Sequence, residues 1–359
     1  MPSRALPGRG RFSARVGLTV QVALTDSIAS AGEAVLRAAG HEILPGPVSG
    51  DLGGLLTRAD AVIVRRKLPD DVLDHAPRLL GAVRHGVGVD LIPVERCTAA
   101  GVLVANVPGA NAGAVAEFVL AQMLAITRQV QAMHADLVTA GWEAARARTE
   151  CATELNGRTL GIVGLGAIGE RLAAICGPGL GMRVLGHRRD RGRMPAGVAY
   201  GELPDLFAES DFVVLACPLT PETRGLVSDA LLGRMRPGAW LLNVARGPVV
   251  DEPALLRTLQ EGRIGGAALD VFDTQPLAAG HPFRALPNVI LTPHAAGLTG
   301  EAMRAMSTVA AEEVVRILAG QRPRNLINPE AWPAACARRA ALGHAVPEQP
   351  ARAFRTAPE

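Results

Sequence analysis

The stretch that most constrains this chain is a joint between two kinds of backbone. The apolar run Leu160-Gly161-Ile162-Val163 leads directly into Gly164-Leu165-Gly166-Ala167-Ile168-Gly169, and an amphipathic segment follows. In a Gly-x-Gly-x-x-Gly turn between strand and helix, the first glycine permits the bend. The second lets a phosphate reach the main chain, and the third lets the helix pack closely on the strand. Free amides at the helix N-terminus, here those of Ala167 and Ile168 among others, favour pyrophosphate charge. The joint predicts a parallel α/β unit that cradles a dinucleotide.

The remaining chain repeats that rhythm. Its 359 residues, 48% of them apolar and 20% charged, are enough for one large core or two. Short β-branched runs at 16–24, 61–64, 80–85, 102–106, 159–163, 182–185, 212–216, 240–243, 266–269 and 289–291 read as strands of parallel sheets with helical crossovers. Helical spacing predicts helices over 29–39, closed by Gly40, over 112–133, and from Thr299 to about Leu318. The segment 322–329 reads as a return towards the first lobe, and the tail from Pro333 as adding little to the core.

Composition removes several classes of function. With 37 basic and 34 acidic residues the formal charge is only +3, which is no nucleic-acid footprint. Cys97, Cys151, Cys176, Cys217 and Cys336 are scattered, without a CxxC pair, so they read as thiols of a reducing compartment and not as disulfides or a zinc site; no metal is expected. The basic head lacks a secretory apolar stretch, and the run at 118–127 is too short and polar to span a membrane. A cytoplasmic protein is the expectation.

The groups that carry chemistry stand at strand ends. About 20 residues beyond the glycine turn, where an acidic residue would hold an adenosine ribose 2′-OH, the chain has Gly186-His187-Arg188-Arg189-Asp190. Arg188, assisted by Arg189 or His187, fits a 2′-phosphate and so NADP(H). NAD(H) stays open through Asp190, and a solvated charge run is the plain alternative. Arg246, in Asn243-Val244-Ala245-Arg246-Gly247, could hold a carboxylate and polarise a carbonyl, or form a structural salt bridge. His294, in Thr292-Pro293-His294, suits a general acid near neutral pH. His85 is expected along a substrate loop and His281 near the site, with Leu68, Val87 and Phe283 shaping side-chain space.

Taken in order, HGVGVD at 85–90, NAGAVAE at 111–117, GLGAIG at 164–169, NVARG at 243–247, ALDVF at 268–272 and TPHAAG at 292–297 resemble the D-isomer-specific 2-hydroxyacid dehydrogenases, with a likeness to NADP-dependent glyoxylate/hydroxypyruvate reductases. The resemblance implies an α/β protein of two Rossmann-like lobes. A flavodoxin-like catalytic domain, 1–107 plus 295–335, is split around a doubly wound dinucleotide-binding domain, 108–294; residues 336–359 are expected as a flexible tail. It implies a small 2-ketoacid substrate and a homodimer.

The family's roles fall on Arg246 for the carboxylate and carbonyl and on His294 for the proton. Gly86, Val87, Gly88 and Asn111 would face the substrate, and Arg65 or Lys67 its distal end. Gly164, Gly166, Ala167, Ile168, Gly169, His187, Arg188, Arg189, Cys217, Pro218, Leu219, Thr223, Val244, Ala245 and Asp270 would line the cofactor, Asp270 at the carboxamide. One departure stands out: Gln275, before Pro276, replaces the usual glutamate beside the histidine. It can orient His294 but brings no charge. Because formate dehydrogenases of the family also carry glutamine there, that activity stays open, as does a non-catalytic dinucleotide sensor.

Overall fold

The computed structural model describes residues 20–46 and 52–345. Their strands form two sheets in which every pairing is parallel. The first contains β1 (Gln21–Leu24), β2 (Glu42–Leu44), β3 (Ala61–Val64), β4 (Gly81–Arg84) and β5 (Leu103–Ala105), in the order β2-β1-β3-β4-β5. The second contains β6 (Thr159–Val163), β7 (Arg183–His187), β8 (Val198–Tyr200), β9 (Phe212–Leu215), β10 (Trp240–Asn243), β11 (Gly266–Leu269) and β12 (Val289–Leu291), in the order β12-β11-β10-β9-β6-β7-β8. The central strands are continuous apolar runs because helices cover both faces; β3 and β9 are buried throughout.

Each order reverses once, between β1 and β3 in the first sheet and between β6 and β9 in the second. A crevice opens at the carboxyl ends of the strands where neighbouring crossovers leave to opposite faces. The glycine turn leaves β6 at one of these points.

The first sheet is finished by the far end of the chain. The Gly300–Leu318 helix lies against the Ser30–Ala38 helix, so closely that a methyl on Gly32 would sit 2.5 Å from the Ser307 carbonyl oxygen. Leu326 bridges antiparallel to Ala105 on β5, and the fully buried Asn328 bonds to Val104 N, Val102 O and Thr98 Oγ1.

Two local expectations need correction, and a third falls partly outside the described residues. The helix expected over 112–133 is two, Ala112–Arg128 and Val130–Thr139, broken where Gln129 adopts φ 51. The strand expected from Val16 begins outside the described residues. The tail is not idle: Trp332–Ala341 is helical, and the buried Arg339 donates to the Ile317 and Leu318 carbonyls at the end of the Gly300–Leu318 helix. Residues 346–359 lie outside the described part. Among the described residues no helix is long and apolar enough to cross a membrane.

Candidate active site

The three glycines of the turn do different work. Gly164 has φ +102, and a methyl there would lie 2.5 Å from the Cys217 nitrogen, at the end of the neighbouring β9. One on Gly169 would lie 2.3 Å from the Gly164 oxygen. Gly166, by contrast, has no protein atom within 4 Å of that position. Open space thus fronts the N-terminus of the Ala167–Leu180 helix, whose first amides have no partner inside the helix. This cradle fits a dinucleotide pyrophosphate.

Neighbouring strand ends complete the rim. Cys217, Pro218 and Leu219 follow β9; Thr223 closes their turn, donating to the Pro218 carbonyl at 2.7 Å and accepting from Thr220 N at 2.8 Å. Burial pushes the Cys217 thiol up from its ordinary pKa. Beyond β7, Arg188 Nη1 donates to Glu170 Oε1 at 3.2 Å and to the Arg193 carbonyl at 2.6 Å, while Arg189 is exposed. His187 Nδ1 lies 3.0 Å from the Gly201 carbonyl. Asp190 accepts from Gly192 N within its own turn.

Val244, Ala245 and Arg246 follow β10, and the buried Asn243 shapes them by accepting from Ala245 N and donating to Arg246 O, each at 3.0 Å. The Arg246 side chain crosses to the first lobe. Its Nε donates to both carboxylate oxygens of Asp90, at 3.1 and 3.2 Å, and Nη1 donates to the Ala245 carbonyl at 2.7 Å. A methyl on Gly88 would stand 2.1 Å from Arg246 Nη2, so the Gly86-Val87-Gly88 turn and the guanidinium face one another.

That turn is clasped from behind by Arg84, which donates to the Val64, His85 and Gly88 carbonyls. Burial, then the charge of Arg246, brings Arg84 down to about 10. Burial opposes ionisation of Asp90, but the attraction and hydrogen bonds of Arg246 outweigh it and hold the carboxyl below its ordinary value.

His294 enters the same cleft after β12. Its backbone has φ 55 and its amide donates to the Asp270 carbonyl at 2.8 Å; its ring Nδ1 stands 3.1 Å from Gln275 Oε1. Solvent reaches the ring through the cleft, but protein on the other sides disfavours the imidazolium. That burial, with the charge of Arg246 next, moves the histidine below its ordinary value against the opposing pull of Asp270. Asp270 spends its carboxylate on Thr292 Oγ1, Ala295 N and Ala296 N, at 2.7 to 2.9 Å, and so fixes the loop that carries the histidine. Asn111 packs beside Gly297, and its Oδ1 is buried without a partner.

Several expected residues are elsewhere. His85 does not line a substrate loop: it is buried, bonds to Ser307 Oγ at 2.8 Å, and burial with nearby Arg65 and Arg84 lowers it to about 4. His281 is paired with Glu252 at 3.0 Å. Leu68 and Phe283 are core residues, 0% and 1% exposed, whereas Val87 is open to solvent. Arg65 is tied to the Ser27 carbonyl and to Asp26, and Lys67 points outward, 3.7 Å from Asp70. Conversely, sequence reasoning gave no role to Asp90, Arg84, Asn243 or Glu170. For Asp90 a signal was available, a lone carboxylate two residues beyond a glycine turn.

Among the described residues no three His, Cys, Asp or Glu side chains gather as a metal set. Residues 120–296 match the family model described as D-isomer specific 2-hydroxyacid dehydrogenase, NAD binding domain. The chain is similar to a glyoxylate reductase of Aeropyrum pernix, 42% identical over 283 residues, which are 76% of this chain and 84% of that one. Its fold is similar to the NADPH-dependent glyoxylate/hydroxypyruvate reductase of Sinorhizobium meliloti, solved with NADP and malonate: TM-score 0.75, 27% identity, 88% of this chain and 98% of that one covered. The NAD-dependent formate dehydrogenase of Staphylococcus aureus, solved with NAD, gives a TM-score of 0.77 at 26% identity, covering 86% and 99%.

Proposed function

Since this chain belongs to the D-isomer specific 2-hydroxyacid dehydrogenase family, we propose that it reduces small 2-ketoacids, of the size of glyoxylate or hydroxypyruvate, to D-2-hydroxyacids with NADPH preferred over NADH. The observation that carries this reading is the meeting of Arg246, His294 and the Gly86–Gly88 turn in one cleft, at strand ends of two different sheets. We take residues 1–107 and 295–341 as the catalytic lobe, so that the Trp332–Ala341 helix stays whole, and 108–294 as the cofactor lobe.

Gly164, Gly166, Ala167, Ile168 and Gly169 would hold the pyrophosphate, Arg188 and Arg189 the adenosine end, and Cys217–Leu219, Val244 and Ala245 the inner face. A bound nicotinamide dinucleotide supplies the hydride. Arg246 binds the ketoacid carboxylate and stabilises the charge that develops on the carbonyl oxygen. The Gly86–Gly88 backbone closes on the carboxylate from the other side. His294, oriented by Gln275, donates a proton to that oxygen and recovers one from water after the product leaves. NADPH preference rests on Arg188 and on the absence of an acidic residue directly after β7; one Arg188 nitrogen is spent on Glu170 and Arg193, which leaves Nε and Nη2 for a phosphate.

Gln275 favours one second reading, formate oxidation, in which no ketone needs a proton. Initial rates with glyoxylate, hydroxypyruvate, pyruvate and longer 2-ketoacids against NADPH and NADH, and with formate against both oxidised cofactors, separate the two. We expect NADPH-linked ketoacid reduction, with Arg188→Ala lowering kcat/KM for NADPH about 10-fold and leaving NADH unchanged. Formate oxidation alone would favour the second reading, and dinucleotide binding without turnover a sensor.

We also infer a homodimer. Leu124, Val130, Leu137, Val138 and Trp142 stand exposed on successive helices between 112 and 147, and the Val130–Thr139 helix has no buried residue. A second copy would cover that face; Trp142→Glu should then lower the mass measured by light scattering.

A further inference from the structure

An arginine offers five N–H groups in a plane, and what it recognises depends on which edge is left free. In the Arg246 side chain one edge is taken. Nε donates to both oxygens of Asp90, Nη2 lies 3.1 Å from Asp90 Oδ1, and Nη1 gives one hydrogen to the Ala245 carbonyl. The Nη1–Nη2 end remains, beside Gly88. Asp90 reaches this arginine from the opposite lobe, on the same short loop as the Gly86–Gly88 turn.

We propose that Asp90 is a positioning residue for Arg246: by holding the Nε edge from across the cleft, it presents the Nη1–Nη2 end to the carboxylate and carbonyl of a 2-ketoacid. This rests on the reading of function above and adds to it the group that decides how the arginine is aimed.

Asp90 also sets the charge of the site. Arg246 and Arg84 bring two positive charges to the turn, and the Asp90 carboxylate, paired directly with Arg246, offsets both. The groups that face His294 are Arg246 and Arg84, which disfavour its protonation, and Asp270 and Asp90, which favour it; Gln275 contributes no charge. Removing the Asp90 charge therefore has two consequences of opposite sense. The site becomes more attractive to a carboxylate, while the arginine loses its fixed aim and the histidine holds its proton less well.

The test compares Asp90→Asn and Asp90→Glu with the unaltered full-length chain. Steady-state ketoacid reduction across pH is measured together with calorimetric binding of oxamate, a non-reducible mimic, at saturating NADPH. For Asp90→Asn we expect kcat to fall about 10- to 100-fold, as a misaimed catalytic group does, with KM unchanged or lower. Oxamate binds as tightly as before or more tightly. Reduction needs protonated His294, so its rate falls as pH rises through the histidine pKa, and that limb moves to lower pH. Asp90→Glu restores the limb and part of kcat.

A kcat within twofold of the unaltered enzyme overturns the proposal. So does a raised KM with weaker oxamate binding and an unmoved limb, the pattern of a pair that only holds the lobes together. If the unaltered chain reduces no ketoacid, the reading of function fails separately. Oxamate affinity still decides on Asp90, because weaker binding in Asp90→Asn contradicts its charge role.

Discussion

Two strand ends in this molecule carry Gly-x-Gly, and they use it in opposite ways. After β6, Gly164-Leu165-Gly166 opens into a 14-residue helix, and the space before Gly166 is left clear. After β4, Gly86-Val87-Gly88 leads into a loop with no helix directly behind it, Arg84 clasps its carbonyls, and the space before Gly88 is filled by Arg246. In the function proposed here, the first turn recognises an anion through backbone amides and the helix end. The second brings the main chain against the Arg246 guanidinium, to which the proposed function gives another anion. The same glycine spelling therefore specifies only that something approaches closely, and the flanking structure decides what.

Substitutions at these glycines can break the comparison. Gly88→Ala should have the largest effect: its methyl meets flexible side-chain ends, Arg246 Nη2 at 2.1 Å and Asp90 Oδ1 at 2.7 Å, so the fold survives while the arginine is displaced. We expect kcat/KM to drop about 100-fold, with cofactor affinity within twofold of the original by fluorescence titration. Gly169→Ala meets a backbone oxygen, which cannot step aside. It should cost about 2 kcal/mol of stability, read from the urea midpoint.

Gly166→Ala meets no protein atom, so its melting temperature should stay put while the dinucleotide Kd rises about tenfold. If Gly166→Ala and Gly169→Ala gave the same pattern, the division of labour among the three glycines would be wrong. The smallest change sharpens the picture of the histidine. Gln275→Glu puts a negative charge beside His294 Nδ1 and should move the alkaline limb of reduction up by about one pH unit, opposite to Asp90→Asn.

The parallel strands were legible because full burial on both faces leaves no room for polar residues, as in Ala61–Val64 and Phe212–Leu215. The glycine turn, Arg246 and His294 could be read because each follows a short apolar run that reads as a strand. What was hidden depends on partners distant in sequence. Gln129 breaks a helix without a glycine or proline to announce it, and Arg339 looks like one more tail arginine until it meets the carbonyls of Ile317 and Leu318. His85 follows the same rule, since only Ser307 turns it from a residue expected along a substrate loop into a buried link. Asp90 sat inside a recognised motif, yet its role needs a residue 156 positions away.

The way the first sheet is completed has a consequence in time. Its strands lie between 21 and 105 and one of its faces is covered from the same stretch, but much of the cover of the other face and the segment that edges β5 come from 300 to 341. The second sheet and the helices packed on it lie within the continuous stretch from 112 to 291, because the Ala112–Arg128 helix shares its core. On a ribosome the second can finish while the first still waits for residues 300 to 341. Its exposed β-strands must stay unpaired with strangers during that interval, so a growing chain is most vulnerable to aggregation through the half that was made first.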